Sequence, residues 1–208
     1  MVSVIVWGTG NVGRLAVRAV RAHPALQLTG VIVHDPGKVG RDAGDLAGLG
    51  RDLGVTATDD VGAALATGPQ AVVYAASGDI RPDDALADIL RAIRAGAVVV
   101  TPALYALYDQ RNAPPEMRDA VLDAVAEGGG SLFVSGVDPG WGNDVLPLLV
   151  SGVAARSTSS AARRSSTTPP TTSPTPSGTW SAWDSRWTTS RRCSRRPSRP
   201  WCGAGRSG

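Results

Sequence analysis

Residues 2–7 (Val-Ser-Val-Ile-Val-Trp) are apolar but for Ser3, and they run straight into Gly8-Thr9-Gly10-Asn11-Val12-Gly13. A short apolar run rich in β-branched residues predicts a strand buried on both faces. A helix is expected from there to about Ala22, with Val12, Leu15, Ala16, Ala19 and Val20 as its apolar stripe and Arg14, Arg18 and Arg21 on the other side. Each glycine has a task in a turn that receives a diphosphate. The first lets the chain reverse tightly, the second lets backbone approach the ligand, and the third lets helix settle on strand. The helix start adds N–H groups without intrahelical partners and the positive end of a dipole. The six-residue pattern is weak alone and specific between a buried strand and an amphipathic helix. Gly8, Thr9, Gly10, Asn11, Val12 and Gly13 are therefore the first candidate coenzyme-binding residues.

The pattern then repeats. Strands are expected at 28–34, 55–58, 71–76, 97–101 and 131–137. Helices are expected at 61–66, from Pro82, and from Pro115 to about Glu127, where Gly128-Gly129-Gly130 stops the last one. In the helix after Pro82, Leu86, Ile89, Leu90 and Ile93 point inward, with Arg91 and Arg94 outward. Strand–helix–strand repetition implies right-handed crossovers and an α/β, doubly wound parallel sheet.

In such a sheet the adenosine ribose meets the end of the second strand, here His34-Asp35-Pro36-Gly37-Lys38. Asp35 suits a ribose 2′-hydroxyl and favours NAD. Lys38, the only lysine, suits a 2′-phosphate and favours NADP. Both charges are also ordinary for a solvated loop, and the coenzyme is left as NADP or NAD. Ala76 and Ser77 after the fourth strand, and Thr101 and Pro102 after the fifth, are small residues where a coenzyme would cross the sheet edge. Ordinary turn chemistry would choose them too.

The net charge of +3 joins two unlike stretches. Residues 1–155 hold 11 basic and 17 acidic side chains, whereas residues 156–208 hold ten arginines and one acid, Asp184. The second stretch has no Val, Leu, Ile, Met or Phe, and so little to bury beyond four tryptophans. No apolar run reaches the roughly 18 residues that span a bilayer. The start shows no basic leader or cleavage site, and Cys193 and Cys202 make neither a disulfide framework nor a four-ligand zinc site. A cytoplasmic protein without membrane partners is expected.

Residues 157–208 use only Ser, Thr, Ala, Pro, Arg, Gly, Trp and Cys, apart from Asp184. All eight have codons with G or C in the second position. A GC-rich gene read one base out of register obeys that rule, because its GC-rich third positions become second positions. Undoing the shift over 157–172 permits an alternating apolar and acidic strand followed by a Tyr/Asp-rich stretch, which suits the entry strand of another domain. The expectation is a disordered Arg/Ser/Thr/Pro-rich tail produced by out-of-frame translation. The rival is a genuine basic arm, with Trp180, Trp183 and Trp187 stacking on RNA bases. A nucleic-acid partner is the less favoured of the two.

Three stretches carry a family resemblance: Val4–Gly13, then Lys38-Val39-Gly40-Arg41-Asp42-Ala43-Gly44, then Gly136-Val137-Asp138-Pro139-Gly140-Trp141-Gly142-Asn143-Asp144. Over residues 1 to about 155 the chain resembles the dihydrodipicolinate reductase-like dehydrogenases, particularly relatives of 2,4-diaminopentanoate dehydrogenase. The resemblance implies a Rossmann domain over 1–137 that binds NAD(P)H, and an α+β substrate domain of which 138–156 is only the start. It implies hydride transfer to or from a C=N or C=O carbon of a small amine or amino acid, and a homo-oligomer in the intact family. It makes Asp138, Pro139, Gly140 and Asn143 candidate substrate-binding residues, with Asp138 holding an amine. An aspartate before proline is also common at turns and helix entries. The His-His pair and lysine of true dihydrodipicolinate reductases have no counterpart, since the only histidines are His23 and His34. No catalytic acid is assigned. With the substrate half lost, activity should be impaired and the apolar residues of 143–150 left uncovered. The alternative is a nucleotide-binding module with a basic arm and no catalysis.

Overall fold

The computed structural model describes residues 1–153. The expectations for the tail, including its disorder, fall outside the described residues. Six strands form one sheet: β1 (Val2–Trp7), β2 (Leu26–Ile32), β3 (Ala57–Thr58), β4 (Ala71–Tyr74), β5 (Val98–Thr101) and β6 (Ser131–Val134). Every pairing is parallel and the order is β3-β2-β1-β4-β5-β6. This is the doubly wound arrangement expected, with its order reversing between β1 and β4. The helices are α1 (Asn11–Ala22), α2 (Ala43–Leu46), α3 (Val61–Ala66), α4 (Pro82–Arg94), α5 (Pro115–Gly128) and α6 (Leu146–Ser151).

The core divides between the two sheet faces. On one, Ile5, Trp7, Ile32, Val72, Tyr74 and Val99 pack with Leu65 of α3, Ala85, Ile89, Ala92 and Ile93 of α4, and Ala124 of α5. Ile89 and Ile93 are wholly buried, a stabilisation of about 1.5–3 kcal/mol each. Pro82 opens α4, Asp83 and Asp84 lie in its first turn, and Arg91 and Arg94 in its last, as the helix dipole favours. On the other face Val4, Val6, Val31 and Leu28 pack with Val17 and Val20 of α1 and with Ala43, Leu46 and Ala47.

Five expectations need correction. Of the stripe expected in α1, Val20 is buried, but its buried companions are Gly13 and Val17 rather than Val12 and Leu15. Val12 is 49 % and Leu15 63 % exposed, because Gly13 sits against Gly8 and sets which side of the helix turns in. The second strand is 26–32, so His34 lies beyond it. The strands expected at 71–76 and 131–137 end at Tyr74 and Val134, where the chain leaves the ladder for the loops described below. Strand β3 keeps only two residues. Its outer side is bonded by the preceding loop: Gly40 N–H to the Ala57 carbonyl at 2.8 Å, and Ala57 N–H to the Arg41 carbonyl at 2.9 Å.

Candidate functional site

In a parallel sheet all carboxyl ends lie on one edge, and each loop that leaves them faces the same crevice. The Gly8–Gly13 turn follows β1, and Ala75–Gly78 follows β4, on the two sides of the point where the strand order reverses.

The glycines there are held by contact. Gly8 has φ +100°, and a Cβ on it would lie 2.9 Å from the Ala76 nitrogen. A Cβ on Gly13 would lie 1.8 Å from the Gly8 carbonyl oxygen, so helix and turn touch through backbone alone. A Cβ on Gly10 would meet nothing within 4 Å. That position is open. Gly10 is also the residue before α1, where no side chain caps the helix and no acid occupies the first turn. The first intrahelical bond runs from Arg14 N–H to the Gly10 carbonyl, which leaves the N–H groups of Asn11, Val12 and Gly13 without intrahelical acceptors. A twelve-residue helix with its positive end free is suited to a phosphate. Thr9, between the glycines, is buried.

Beyond β2, Asp35 accepts a hydrogen bond from Gly37 N–H at 2.9 Å and starts a short 3₁₀ turn, Pro36–Lys38. Lys38 Nζ lies 3.9 Å from Asp35 Oδ2. The two residues whose charges argue for different coenzymes are thus paired in one turn. Beneath them, Trp7 stacks on His34 with centroids 6.4 Å apart and meets Tyr74 edge-on at 5.5 Å. Among the described residues, the buried Trp7 Nε1 is the side-chain donor without a hydrogen-bond partner. His34 Nε2 lies 3.6 Å from Asp88 Oδ2, and the Tyr74 hydroxyl donates to the same oxygen at 3.3 Å. Burial pushes the Asp88 carboxyl up, against the opposing pull of His34. Burial, reinforced by the Asp88 charge, pushes the Tyr74 phenol up as well.

At the end of β5, Thr101 is wholly buried. Its hydroxyl donates to the Tyr74 carbonyl at 2.8 Å and accepts from Ala103 N–H at 2.9 Å. Both hydrogen-bonding roles are filled by protein, so Thr101 ties β5 to β4 and shapes the edge. Pro102 and Ser77 are exposed there, and Ala76 is half-buried.

After β6 the chain folds back on itself. Gly136 N–H donates to the Pro139 carbonyl, and Trp141 N–H to the Gly136 carbonyl, both at 2.9 Å. The Asp138–Pro139 peptide is cis, and Gly140 has φ +133° with a Cβ position 2.3 Å from the Gly136 oxygen. A π-helical turn, Trp141–Val145, then leads into α6. Asn143 Nδ2 donates to Asp138 Oδ1. Asp144 Oδ2 accepts from Gly140 N–H and from the Tyr108 hydroxyl, each at 2.9 Å. That bond to Asp144 is the main cause that raises the Tyr108 phenol. The structure therefore brings two of the candidate residues, Asp138 and Asn143, into contact in one turn. It adds Tyr108, which no sequence pattern marks, because a tyrosine 36 residues before its aspartate leaves no local signal.

Among the described residues, no group of three or more His, Cys, Asp or Glu is placed to hold a metal, and no helix is long and apolar enough to cross a membrane.

Known proteins share this fold and stretches of this sequence. Residues 2–77 match the family described as dihydrodipicolinate reductase, N-terminus. An amine dehydrogenase from Streptomyces virginiae is 76 % identical over 153 residues, which are 74 % of this chain and 42 % of that protein. A 4-hydroxy-tetrahydrodipicolinate reductase from an Anaeromyxobacter strain is 49 % identical over 67 residues, 32 % of this chain and 24 % of that one. The solved amine dehydrogenase of Mycobacterium smegmatis superposes with a TM-score of 0.58 at 28 % identity, covering 74 % of this chain and 45 % of its own. The chain spans less than half the length of these relatives.

Proposed function

Residues 1–153 have the dihydrodipicolinate reductase-like nucleotide-binding fold, and from that premise we propose that this chain is the coenzyme half of an NAD(P)-dependent amine or amino-acid dehydrogenase. The observation that carries the reading is the contrast between Gly13, whose side-chain position is filled by backbone at 1.8 Å, and Gly10, whose side-chain position is open. A turn built only to reverse the chain has no use for the second glycine. A turn that receives a diphosphate needs it.

In this reading the N–H groups of Asn11, Val12 and Gly13 hold the diphosphate, and the Asp35–Lys38 turn holds the adenosine ribose of NAD or NADP. Ala76, Ser77 and Pro102 line the path toward the end of β6, with Thr101 behind them. When bound, the nicotinamide supplies or accepts the hydride. The chain's own contribution is to fix the coenzyme against the sheet edge and to offer Asp138, oriented by Asn143, to a substrate amine. A carboxylate there attracts an ammonium group and sets which end of a small amine faces the sheet. The carbon at issue is the C=N or C=O carbon next to that amine. In this reading turnover by the chain is impaired, because residues 138–156 are only the start of the domain that would exclude water from the substrate. A cytoplasmic setting and a homo-oligomer in the full-length family go with this reading.

Titration of the chain with NADPH and with NADH, followed by tryptophan fluorescence, is the test. Saturable binding of either coenzyme is expected. Failure of both to bind would sink the proposal.

A further inference from the structure

A parallel sheet is ordinarily covered on both faces. Here one face is covered throughout by α3, α4 and α5, whereas the other is covered by α1 and α2 only over β1, β2 and β4. The register carries that face onward from Val73 to Val100 and then Phe133, and from Ala71 to Val98. Val98 is 44 %, Val100 36 % and Phe133 60 % exposed. Helix α6 is likewise uncovered, with Leu146, Leu148, Leu149 and Val150 all exposed. Two strands and a helix present apolar residues that no described residue shields. The relatives whose likeness covers this region have more than half their length beyond it.

The amino-acid usage of residues 157–208 points to what that cover is. Read one base earlier, every triplet is the last base of one present codon and the first two of the next. Trp or Cys then becomes a triplet ending in TG, which encodes Leu, Met or Val. This happens at Trp180, Trp183, Trp187, Cys193, Trp201 and Cys202. A stretch that now has no branched aliphatic residue gains them at spacings a core can use. Because tryptophan has the single codon TGG, its neighbours are fixed as well: glycine in place of Asp184, aspartate in place of Thr188, valine in place of Cys202. The lone acid is the informative case. A codon beginning GA makes a stop in the earlier frame when the base before it is T, and Trp183 makes that base G.

We propose that the bare face formed by Val98, Val100 and Phe133, with helix α6, is the seat of a substrate domain that this gene still encodes one base out of register from about codon 157. The proposal rests on the dehydrogenase reading of residues 1–153 and extends it to the missing half.

The test compares the present full chain with the product of the same gene after insertion of one base near codon 156. First, the earlier frame is translated past codon 208. An open frame that aligns with the S. virginiae amine dehydrogenase beyond its matched part supports the proposal, and a stop within 157–208 or no alignment overturns it. Second, Phe133 is footprinted by hydroxyl radicals and read by mass spectrometry. Protection of about fivefold or more is expected in the restored protein. Equal labelling overturns the seat, and so does protection of the short chain that grows with its concentration, because a second copy would then be the occupant. NADPH titration of the short chain separates this proposal from the function above: binding without Phe133 protection leaves the coenzyme reading standing and removes the seat.

Discussion

Gly10→Ala isolates the function of the turn from its folding. Gly10 has φ −72° and ψ −163°, a conformation any residue adopts. Its Cβ would touch nothing within 4 Å. Alanine in place of glycine in a compatible conformation gains about 0.4–1 kcal/mol through the unfolded state, and at the residue before a helix it loses about 0.5–1 kcal/mol, since glycine is the better cap. Stability should therefore stay within about 1 kcal/mol of the parent. Coenzyme affinity should not. Under the proposed function the new methyl would stand between a bound diphosphate and the N–H groups of Asn11 and Val12. Losing one charge-assisted hydrogen bond costs about 1.5–3 kcal/mol, or roughly 10- to 150-fold in Kd. Gly13→Ala is the contrasting variant, since its Cβ would fall 1.8 Å from the Gly8 oxygen. It should be destabilised by about 3 kcal/mol or more, beyond ordinary overpacking. Urea unfolding and fluorescence titration on both variants give the answer. Unchanged coenzyme affinity in a folded Gly10→Ala protein would refute the reasoning.

Three further outcomes are expected. Thr101→Val leaves the Tyr74 carbonyl and Ala103 N–H without their partner and should cost about 1–3 kcal/mol in chemical unfolding; a cost near zero would show that the hydroxyl is no tie. Asp42 accepts from the N–H groups of Gly44, Leu53 and Gly54. Burial pushes this carboxyl up, but the backbone donors outweigh it and hold the group below its ordinary 3.8. The stabilisation is present above pH 3.8 and lost as pH falls through the lower folded value. Asp42→Ala should cost about 1–2 kcal/mol near neutrality and progressively less in acid, as read by urea midpoints across pH. Asp88 has the opposite sign: its raised carboxyl contributes stability below the ordinary 3.8 that is lost as pH rises through the folded value. Asp88→Asn should thus be at least as stable as the parent at pH 7, with no such advantage at pH 3, and a large loss at pH 7 would show that the His34–Asp88 pair outweighs the burial.

The sheet, its parallel sense and the inward face of α4 were legible because continuous apolar runs and a 3.6-residue period carry them directly. The inward face of α1 was not. Counting apolar residues gives weight to Val12 and Leu15 and none to a glycine, yet Gly13 is where the helix meets the turn. Stepping four and seven residues from Gly13 reaches Val17 and Val20, the two valines of α1 that are buried. The Gly8–Gly13 turn before α1 was legible because its geometry is local. The Tyr108–Asp144 bond was not, because the loops after β5 and β6 meet only once the sheet has formed. Thr101 was legible as a residue at the edge, but its place among backbone groups depends on Tyr74 from another strand.

The two margins of the sheet differ in a way that limits how copies of this chain can associate. The β3 margin is stitched to its own chain by Gly40 and Arg41, so it offers no ladder to a newcomer. The β6 margin, Ser131–Val134, has its ladder partner β5 on one side alone. Strand addition among the described residues is therefore one-sided. Two copies that join there use up both open margins and close as a two-fold pair, and a ribbon of many copies has no second end from which to grow.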